Sequence, residues 1–585
     1  MPDPTDHLHR IFGYAEFRGR QGEVVDRVLA GQHTLAVMPT GAGKSLCYQL
    51  PAAMLEGTCI VISPLIALMH DQMRSAKAVG IRAATLTSAD DNRAETMEQF
   101  RNNMLDLLYV APERATTSAF RDLIADATIS LIAIDEAHCV SEWGHDFRKD
   151  YRLLRPLLDQ FANIPRLALT ATADAHTRED ILVQLGIPED GLILAGFDRP
   201  NIRYDMAPQT SVSQQVERFV RDTPGAGIVY AGSRGRVDRL ADQLAQTGRP
   251  VRPYHAGLDP EIRKRNQAAF VSSEDMVMVA TIAFGMGIDK PDVRFVVHAG
   301  LPKSIEAYYQ ESGRAGRDGE PAIAQMFWSA GDFAQARQWL DGVEEARLAG
   351  ERARLAALAA LVETAGCRRA ILLRHFGEHP PGKCGNCDNC LSPAATFDAT
   401  QIARKFLSAV YRTGQRFGVG HLEKILTGHA DDRAVQLGHD RLSVFGIAEP
   451  EEAALIKPVA RALLMRDALQ SGEHGGLMFG PAARAILKGE ADVALILPPK
   501  REKRGRRNAA PNPVGDSLFE ALRAKRRELA EEAGVPPYVI FHDSVLRAMA
   551  ETRPATRAAL ARISGIGARK LDTYGDAFLR VIKDI

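Results

Sequence analysis

The sequence predicts an α/β protein built on two tandem domains with parallel sheets, followed by smaller, mostly helical modules. The first observation is a series of short apolar, β-branched runs, each followed by a turn and a helical pattern: TLAVMP (from 34), TCIVISP (58), DLLYVAP (106), SLIAIDE (130) and PRLALTAT (165). The second is a repeat of that series in GIVYAG (227), PVRPYH (250), MVMVAT (276), VRFVVHAG (293) and IAQMFWS (323). Strands that read as continuous apolar runs alternating with helices belong to sheets covered on both faces. The third is length. A chain of 585 residues exceeds what one core can organise, and domains of roughly 100–200 residues are expected.

Taken in order, residues 1–200 and 201–331 form the two α/β domains. From 332 to 396 the strand signal gives way to Ala/Leu/Arg/Glu-rich helical periodicity ending in a cysteine cluster. Residues 397–497 mix helices with one hairpin pattern, ALQSGEHGGLMFG, whose tip is His474. KREKRGRRNAAPNP lies in a basic, flexible linker over 498–513, and 514–585 returns to amphipathic helices as a small all-α module. Lys+Arg 73 balances Asp+Glu 73, so whole-chain charge argues neither for nor against a polyanionic partner. No signal-peptide core opens the chain and no apolar run reaches a membrane-spanning length, so a cytoplasmic protein without a membrane partner is expected.

MPTGAGKS (38–45) follows the first strand and opens a helix. Gly41 and Gly43 let the backbone N–H groups around Thr40 close on phosphate oxygens, Lys44 reaches the β/γ-phosphates and Ser45 offers a hydroxyl to magnesium. Met38 stands where the strict pattern has its first glycine. Asp135 and Glu136 end a strand of the same domain, where a phosphate-loop enzyme needs a magnesium carboxylate and a base for the attacking water. The second domain carries SIEAYYQESGRAGRDGEP (304–321), with Gln310, Arg314 and Arg317 around glycine turns. Guanidinium groups there can stabilise charge developing on the γ-phosphate. Lys44 belongs to the other domain, so hydrolysis requires the two domains to close on ATP.

DEAHCVSEWGHDFRKDY (135–151) joins the two acids and His138 to Trp143, Phe147, Arg148 and Tyr151. An exposed ring offers any base a π-face. The near-helical spacing of Trp143, Phe147 and Arg148 also fits core contacts, although Ser141, Glu142, Gly144, His145, Asp146 and Lys149 are too polar for a buried face. SRGRVDRL (233–240) supplies either positive charge for a nucleic-acid backbone or a solvated helix face. The residues alone leave DNA and RNA equally open. Cys367, Cys384, Cys387 and Cys390, spaced C-x16-C-x2-C-x2-C, suit a closed, structural zinc site with no position left for catalysis.

Eight motifs in order, FGYAEFRGRQ (12–21), MPTGAGKS, SPLIALMHDQ (63–72), YVAPER (109–114), DEAHCVSEW, LALTATA (167–173), TIAFGMGIDKPDVRFVVH (281–298) and YYQESGRAGRDG (308–319), resemble the RecQ family of superfamily 2 DNA helicases. The resemblance implies two RecA-like domains, a helical zinc-binding subdomain, a winged helix over 397–497 and an HRDC bundle over 514–585. It implies adenine recognition by Tyr14, Arg18 and Gln21, the ring stacking on the base and the amide reading its edge. Gly287 and Asp289 would meet nucleotide across the domain cleft, and Thr170 and Thr172 would link the ATP site to the strand-binding face. Trp143, Phe147 and Arg148, with His138 and Gln310, would contact single-stranded DNA and report its presence. His474 becomes either a strand-separating wedge or a solvent-exposed turn residue. The GIG turn beside Arg569 and Lys570 resembles turns that grip a DNA backbone, set against a protein-docking or purely structural bundle.

The activity so implied is ATP- and Mg-dependent 3′ to 5′ translocation on single-stranded DNA and unwinding of duplex, in recombination, repair and the SOS response. A monomer associated with the nucleoid is expected, with the single-stranded DNA-binding protein as a partner at the winged helix. An RNA helicase of the same superfamily and a DNA-binding scaffold with a vestigial motor are the alternatives.

Overall fold

A computed structural model describes residues 3–87, 90, 92–125, 127–141, 148–173, 175–284, 290–340, 342, 345–380, 382–393, 396–471, 476–496 and 517–585. Trp143, Phe147, Gly287, Asp289, His474 and the basic linker lie outside the described residues.

The first domain is a parallel sheet of β1 (Thr34–Val37), β2 (Thr58–Ile62), β3 (Ala83–Leu86), β4 (Leu107–Val110), β5 (Ile129–Ile134), β6 (Arg166–Thr170) and β7 (Leu192–Leu194), in the spatial order β3-β4-β2-β5-β6-β1-β7. Alternate residues feed two cores. Leu35, Val37, Ile60, Ile62, Ile132 and Ile134 pack on one face, while Ala36, Cys59, Val61, Ala133, Leu167 and Leu169 pack on the other. Full burial of such a side chain is worth about 1.5–3 kcal/mol, and the buried polar residues of β1, β2 and β6, Thr34, Thr58, Arg166 and Thr170, stand at strand ends.

The second domain repeats the design with β8 (Ile202–Pro208), β9 (Ala226–Tyr230), β10 (Val251–Tyr254), β11 (Val277–Ala280), β12 (Val293–His298) and β13 (Ala322–Trp328). Its parallel order is β10-β11-β9-β12-β13-β8. Three strands of these two sheets were not expected from sequence: β3, β7 and β8. All three are edge strands. An edge strand is paired on one side only and needs no continuous apolar run. In β8, Ile202, Tyr204 and Met206 point inward and Arg203 and Asp205 do not, so the stretch IRYDMAP carries half a signal.

Strand order decides what can meet. Because β5, β6 and β1 are neighbours, their carboxyl ends bring together Asp135, Thr170 and the phosphate loop, which are far apart in sequence. Ligands of open parallel sheets bind at such carboxyl ends.

The cysteine region docks on β8. Asp388 accepts from Met206 N (3.0 Å) and Arg368 Nε (3.0 Å), and Asn386 Nδ2 donates to Pro200 O (3.1 Å). The four sulfurs of Cys367, Cys384, Cys387 and Cys390 lie within 4.8 Å of one another. Cys384 and Cys390 are 4.0 Å apart, close to the sulfur–sulfur spacing of roughly 3.8 Å that Zn–S bonds of about 2.3 Å impose on a tetrahedron. Backbone N–H groups of Ala370 and Asn386 point at two of the sulfurs, an arrangement that favours thiolates.

The next module packs helices Thr400–Arg412, Val419–Leu426 and Ile456–Met465 around Phe406, Leu407, Leu422 and Leu463. The expected hairpin is present as β15 (Leu469–Ser471) against β16 (Leu477–Phe479), and β14 (Thr396–Asp398) pairs with β17 (Ala494–Ile496). Helices Ser517–Ala533, Asp543–Thr552 and Ala568–Asp584 close the last module around Leu518, Leu546 and Phe578. Among the described residues no helix is long and apolar enough to cross a membrane.

Zinc held by four thiolates contributes binding free energy on the order of 10 kcal/mol that is also folding free energy. Cys387→Ser is expected to purify without stoichiometric zinc and to become protease-sensitive between residues 363 and 391. Metal analysis with limited proteolysis measures both.

Candidate functional site

The phosphate loop leaves β1 and turns into helix Leu46–Met54, whose first N–H groups and dipole face the loop. Gly41 (φ +83) and Gly43 (φ +73) adopt left-handed backbone, which costs other residues roughly 1–2 kcal/mol. Lys44 Nζ donates to Met38 O at 3.4 Å. The Met38 side chain is buried in the core with its sulfur 3.9 Å from Cys47 Sγ, so the methionine that replaces the glycine fills space behind the loop.

Asp135 follows β5. Its N–H donates to Ile62 O (2.9 Å), its Oδ1 accepts from Glu136 N (3.0 Å), and buried Tyr151 donates from its hydroxyl to Asp135 O (2.9 Å). Burial first and the adjacent Glu136 carboxylate second push the Asp135 carboxyl above its ordinary range, against the pull of Lys44. Glu136 sits at φ +49, a left-handed conformation that side chains rarely adopt and that stores about 1–3 kcal/mol of strain. Its carboxylate is 3.3 Å from His138 Nδ1, which is also 3.0 Å from Thr170 Oγ1. Thr172 N in turn donates to Thr170 Oγ1 at 3.3 Å. A continuous polar chain therefore runs from the strained acid through a buried histidine to the end of β6.

Across the cleft stands the turn at 313–319 of the second domain. Arg314 and Arg317 line the same cavity of about 340 Å³ as Lys44, Ser45, Asp135 and Glu136. A Cβ at Gly313 would lie 2.8 Å from Tyr309 O and 3.3 Å from Thr40 Cβ, so only glycine lets this turn approach the phosphate loop. The junction is pinned by Arg199, a residue that the sequence reading missed. Its buried guanidinium donates to Thr40 O of the phosphate loop and to Gly313 O (3.0 Å), Ala315 O (2.9 Å) and Gly316 O (2.9 Å) of the turn. The only signal for it was an arginine before a proline (DRPN) between the two strand series.

Tyr14, Arg18 and Gln21 all line the cleft. The Arg18 guanidinium lies 5.3 Å from the centre of the Tyr14 ring. The Gln21 amide is engaged with the chain itself: Nε2 donates to Ala42 O (2.7 Å) and Gly43 O (3.2 Å), and Oε1 accepts from Arg18 N (2.9 Å). In this structure Gln21 braces the phosphate loop and ties it to Arg18. Gln310 lines the cleft beside Arg314. Arg148 Nη1 donates to Pro64 O (3.1 Å), joining the far end of the aromatic segment to SPLIALMHDQ. Tyr538, His542 and Lys570, from the last module, also line the cavity, and no sequence motif pointed there.

Comparison with known families places five regions in order: DEAD/DEAH box helicase over residues 18–181, helicase conserved C-terminal domain over 211–319, RecQ zinc-binding over 330–391, RQC domain over 393–504 and HRDC domain over 516–582. The chain is 41% identical over 590 residues to an ATP-dependent DNA helicase RecQ of Pasteurella multocida, covering 99% of this chain and 93% of that relative. It is 40% identical to the protein of that name in Haemophilus influenzae (100% and 96% covered) and 37% identical to that in Bacillus subtilis (98% and 98%). The chain belongs to the RecQ family. The two helicase matches of this RecQ-family chain fall on the two sheets, and the zinc-binding match contains all four clustered cysteines.

Removing the Arg199 guanidinium strands buried carbonyls on both sides of the domain junction, each worth about 1 kcal/mol or more when unsatisfied. Arg199→Ala is expected to bring forward the first denaturant-unfolding transition by on the order of 2–4 kcal/mol. Arg199→Lys, which lacks the fork, is expected to recover less than half of that.

Proposed function

We propose that this RecQ-family chain is an ATP-dependent DNA helicase that hydrolyses ATP between its two RecA-like domains, moves 3′ to 5′ along one strand and unwinds the duplex ahead. One observation carries the reading: the phosphate loop and acids of one domain and the arginine turn of the other line a single cleft, pinned by Arg199. A site split in this way is complete only when the domains are together, so each cycle of binding and hydrolysis can alternate closure with opening.

On this reading Lys44, Ser45 and the backbone around Thr40, Gly41 and Gly43 hold the triphosphate. Asp135 and the Ser45 hydroxyl are hard oxygen donors of the kind magnesium takes. The raised proton affinity of Asp135 is the mark of buried negative charge that a divalent cation would offset. When bound, magnesium would neutralise charge on the β- and γ-phosphate oxygens. Glu136 takes a proton from the attacking water, and Arg317 with Arg314 stabilises charge on the γ-phosphate. Tyr14 and Arg18 flank the base, and Gly287 and Asp289 complete the nucleotide site from the second domain.

Trp143, Phe147, Arg148 and Gln310 meet the single strand. The connection from Glu136 through His138 to Thr170 and Thr172 supplies a path by which strand occupancy changes the position of the acid. Zinc is structural. Roles in recombination, repair and the SOS response, monomeric action, association with the nucleoid, and docking of the single-stranded DNA-binding protein on the winged helix complete the proposal.

Lys44→Ala is expected to lower strand-stimulated ATP turnover by at least about a hundredfold while strand binding stays within a few-fold, measured by phosphate release and fluorescence anisotropy. Trp143→Ala is expected to lose most of the stimulation by strand. Side-by-side stimulation with DNA and RNA oligonucleotides separates the DNA reading from the RNA one; stronger stimulation by RNA would reverse the assignment.

A further inference from the structure

The last module is bound to the motor at two separate places. Its GIG turn, whose resemblance to turns that grip a DNA backbone stood against a protein-docking or purely structural bundle, is occupied by the chain's own N-terminal segment. Gly565 N donates to Gly13 O at 2.8 Å. Gly13 sits at φ +75, and a Cβ there would lie 2.4 Å from Gly567 N; one at Gly567 would lie 2.5 Å from Ile11 O. The two backbones interlock with no room for a side chain, immediately before Tyr14.

On the other side, Glu274 of the second domain receives three arginines of the module: Arg526, Arg523 (2.9 Å) and Arg527 (3.2 Å). Arg526 and Glu274 are both nearly inaccessible, and Arg526 is further held by Asp543 (2.7 Å) and Phe541 O (2.8 Å). Arg547 reaches Glu320 at 3.3 Å. The module thus spans both motor domains across the mouth of the cleft.

What it presents to the cleft is polar and incomplete. Lys570 has no carboxylate or hydrogen-bond acceptor among the described residues; its ammonium lies 5.9 Å from the centre of the Phe541 ring. Burial lowers its pKa to about 8. His542 Nδ1 is buried without a partner, and the ring packs parallel to Tyr538. Burial first and Lys570 second lower this imidazole to about 4, so it faces the cavity uncharged. An unpaired cation and a neutral ring nitrogen beside Tyr14 and Arg18 match what the adenosine end of a nucleotide offers: ring nitrogens, ribose hydroxyls and, next to them, the α-phosphate oxygens.

We infer that the C-terminal module is a working part of the nucleotide site, with Lys570 and His542 contacting the adenosine end of bound ATP or ADP. The inference rests on reading the cleft as the ATP site. Occupancy then clamps the module onto both motor domains, and release of nucleotide loosens it. Linkage requires the converse: undocking the module weakens nucleotide binding by the same factor.

The test is calorimetric titration of ADP with magnesium into the full-length chain. Lys570→Met, which keeps the aliphatic stem, is expected to weaken binding about ten- to a hundredfold, the size of one charge-assisted hydrogen bond. Glu274→Arg lies outside the cleft and repels the three arginines; it is expected to weaken ADP by at least as much. Adding Lys570→Met to Glu274→Arg should then cost nothing further, a non-additivity that a merely structural role would not produce. Unchanged affinity in both single variants, or additive losses, overturns the inference. Tighter ADP binding by Glu274→Arg also overturns it, because the module would then be a plug competing with nucleotide. Lys44→Ala separates the two readings: if it binds ADP as well as the unaltered chain, the reading of the cleft itself has failed.

Discussion

Arg199 lies in the short segment between the two sheets, and its guanidinium is the point on which the cleft depends. One planar fork satisfies carbonyls from the phosphate loop of the first domain and from the arginine turn of the second. Buried carbonyls must find donors, and arginine offers several in fixed geometry without becoming neutral. The same segment is held from other directions. Tyr309 donates to Phe197 O at 2.7 Å, Phe197 stacks on Phe376 at 4.6 Å, and Arg369 donates to Pro200 O and Ile202 O. The connection between domains is therefore a packed, hydrogen-bonded hinge whose contacts extend to the cysteine region, so that the cysteine cluster, hinge and cleft share one network.

The chemistry proposed for the cleft follows from that arrangement. Two adjacent acids at the end of β5 are costly in a buried place, as the raised Asp135 carboxyl and the strained backbone of Glu136 record. Strain of this kind persists where surrounding contacts over-determine it. Here Tyr151 holds the Asp135 carbonyl and His138 holds the Glu136 side chain. Since His138 also meets Thr170, any displacement of β6 or of the segment after His138 reaches the acid through two contacts. That is the physical route proposed for coupling strand binding to hydrolysis.

The last module extends this logic. It uses the same means as the hinge, glycines for close approach and buried arginines for carboxylates and carbonyls, but its two anchor points lie on different domains. A body attached to both sides of a closing cleft senses closure directly. Its cleft-facing Lys570 and His542 give that attachment a chemical reason to depend on nucleotide.

The local chemistry was readable in the residues themselves. Apolar strands buried on both faces, glycines at Gly41 and Gly43, a strand ending in Asp135 and Glu136, and four cysteines at zinc spacing each impose a short-range constraint that appears as a pattern in sequence. Edge strands β3, β7 and β8 were not readable, because pairing on one side removes the pressure for an apolar run. Nor was Gln21 as a brace for the phosphate loop, Arg199 as the pin between domains, or the GIG turn seated on Gly13. Each of these depends on which backbone carbonyl or N–H lies nearby in space, and a main-chain group carries no side-chain signature. The sequence by itself determined the chemical parts and the two sheets; only the tertiary structure decided which parts share a cleft, because that is settled by strand order and by contacts between segments hundreds of residues apart.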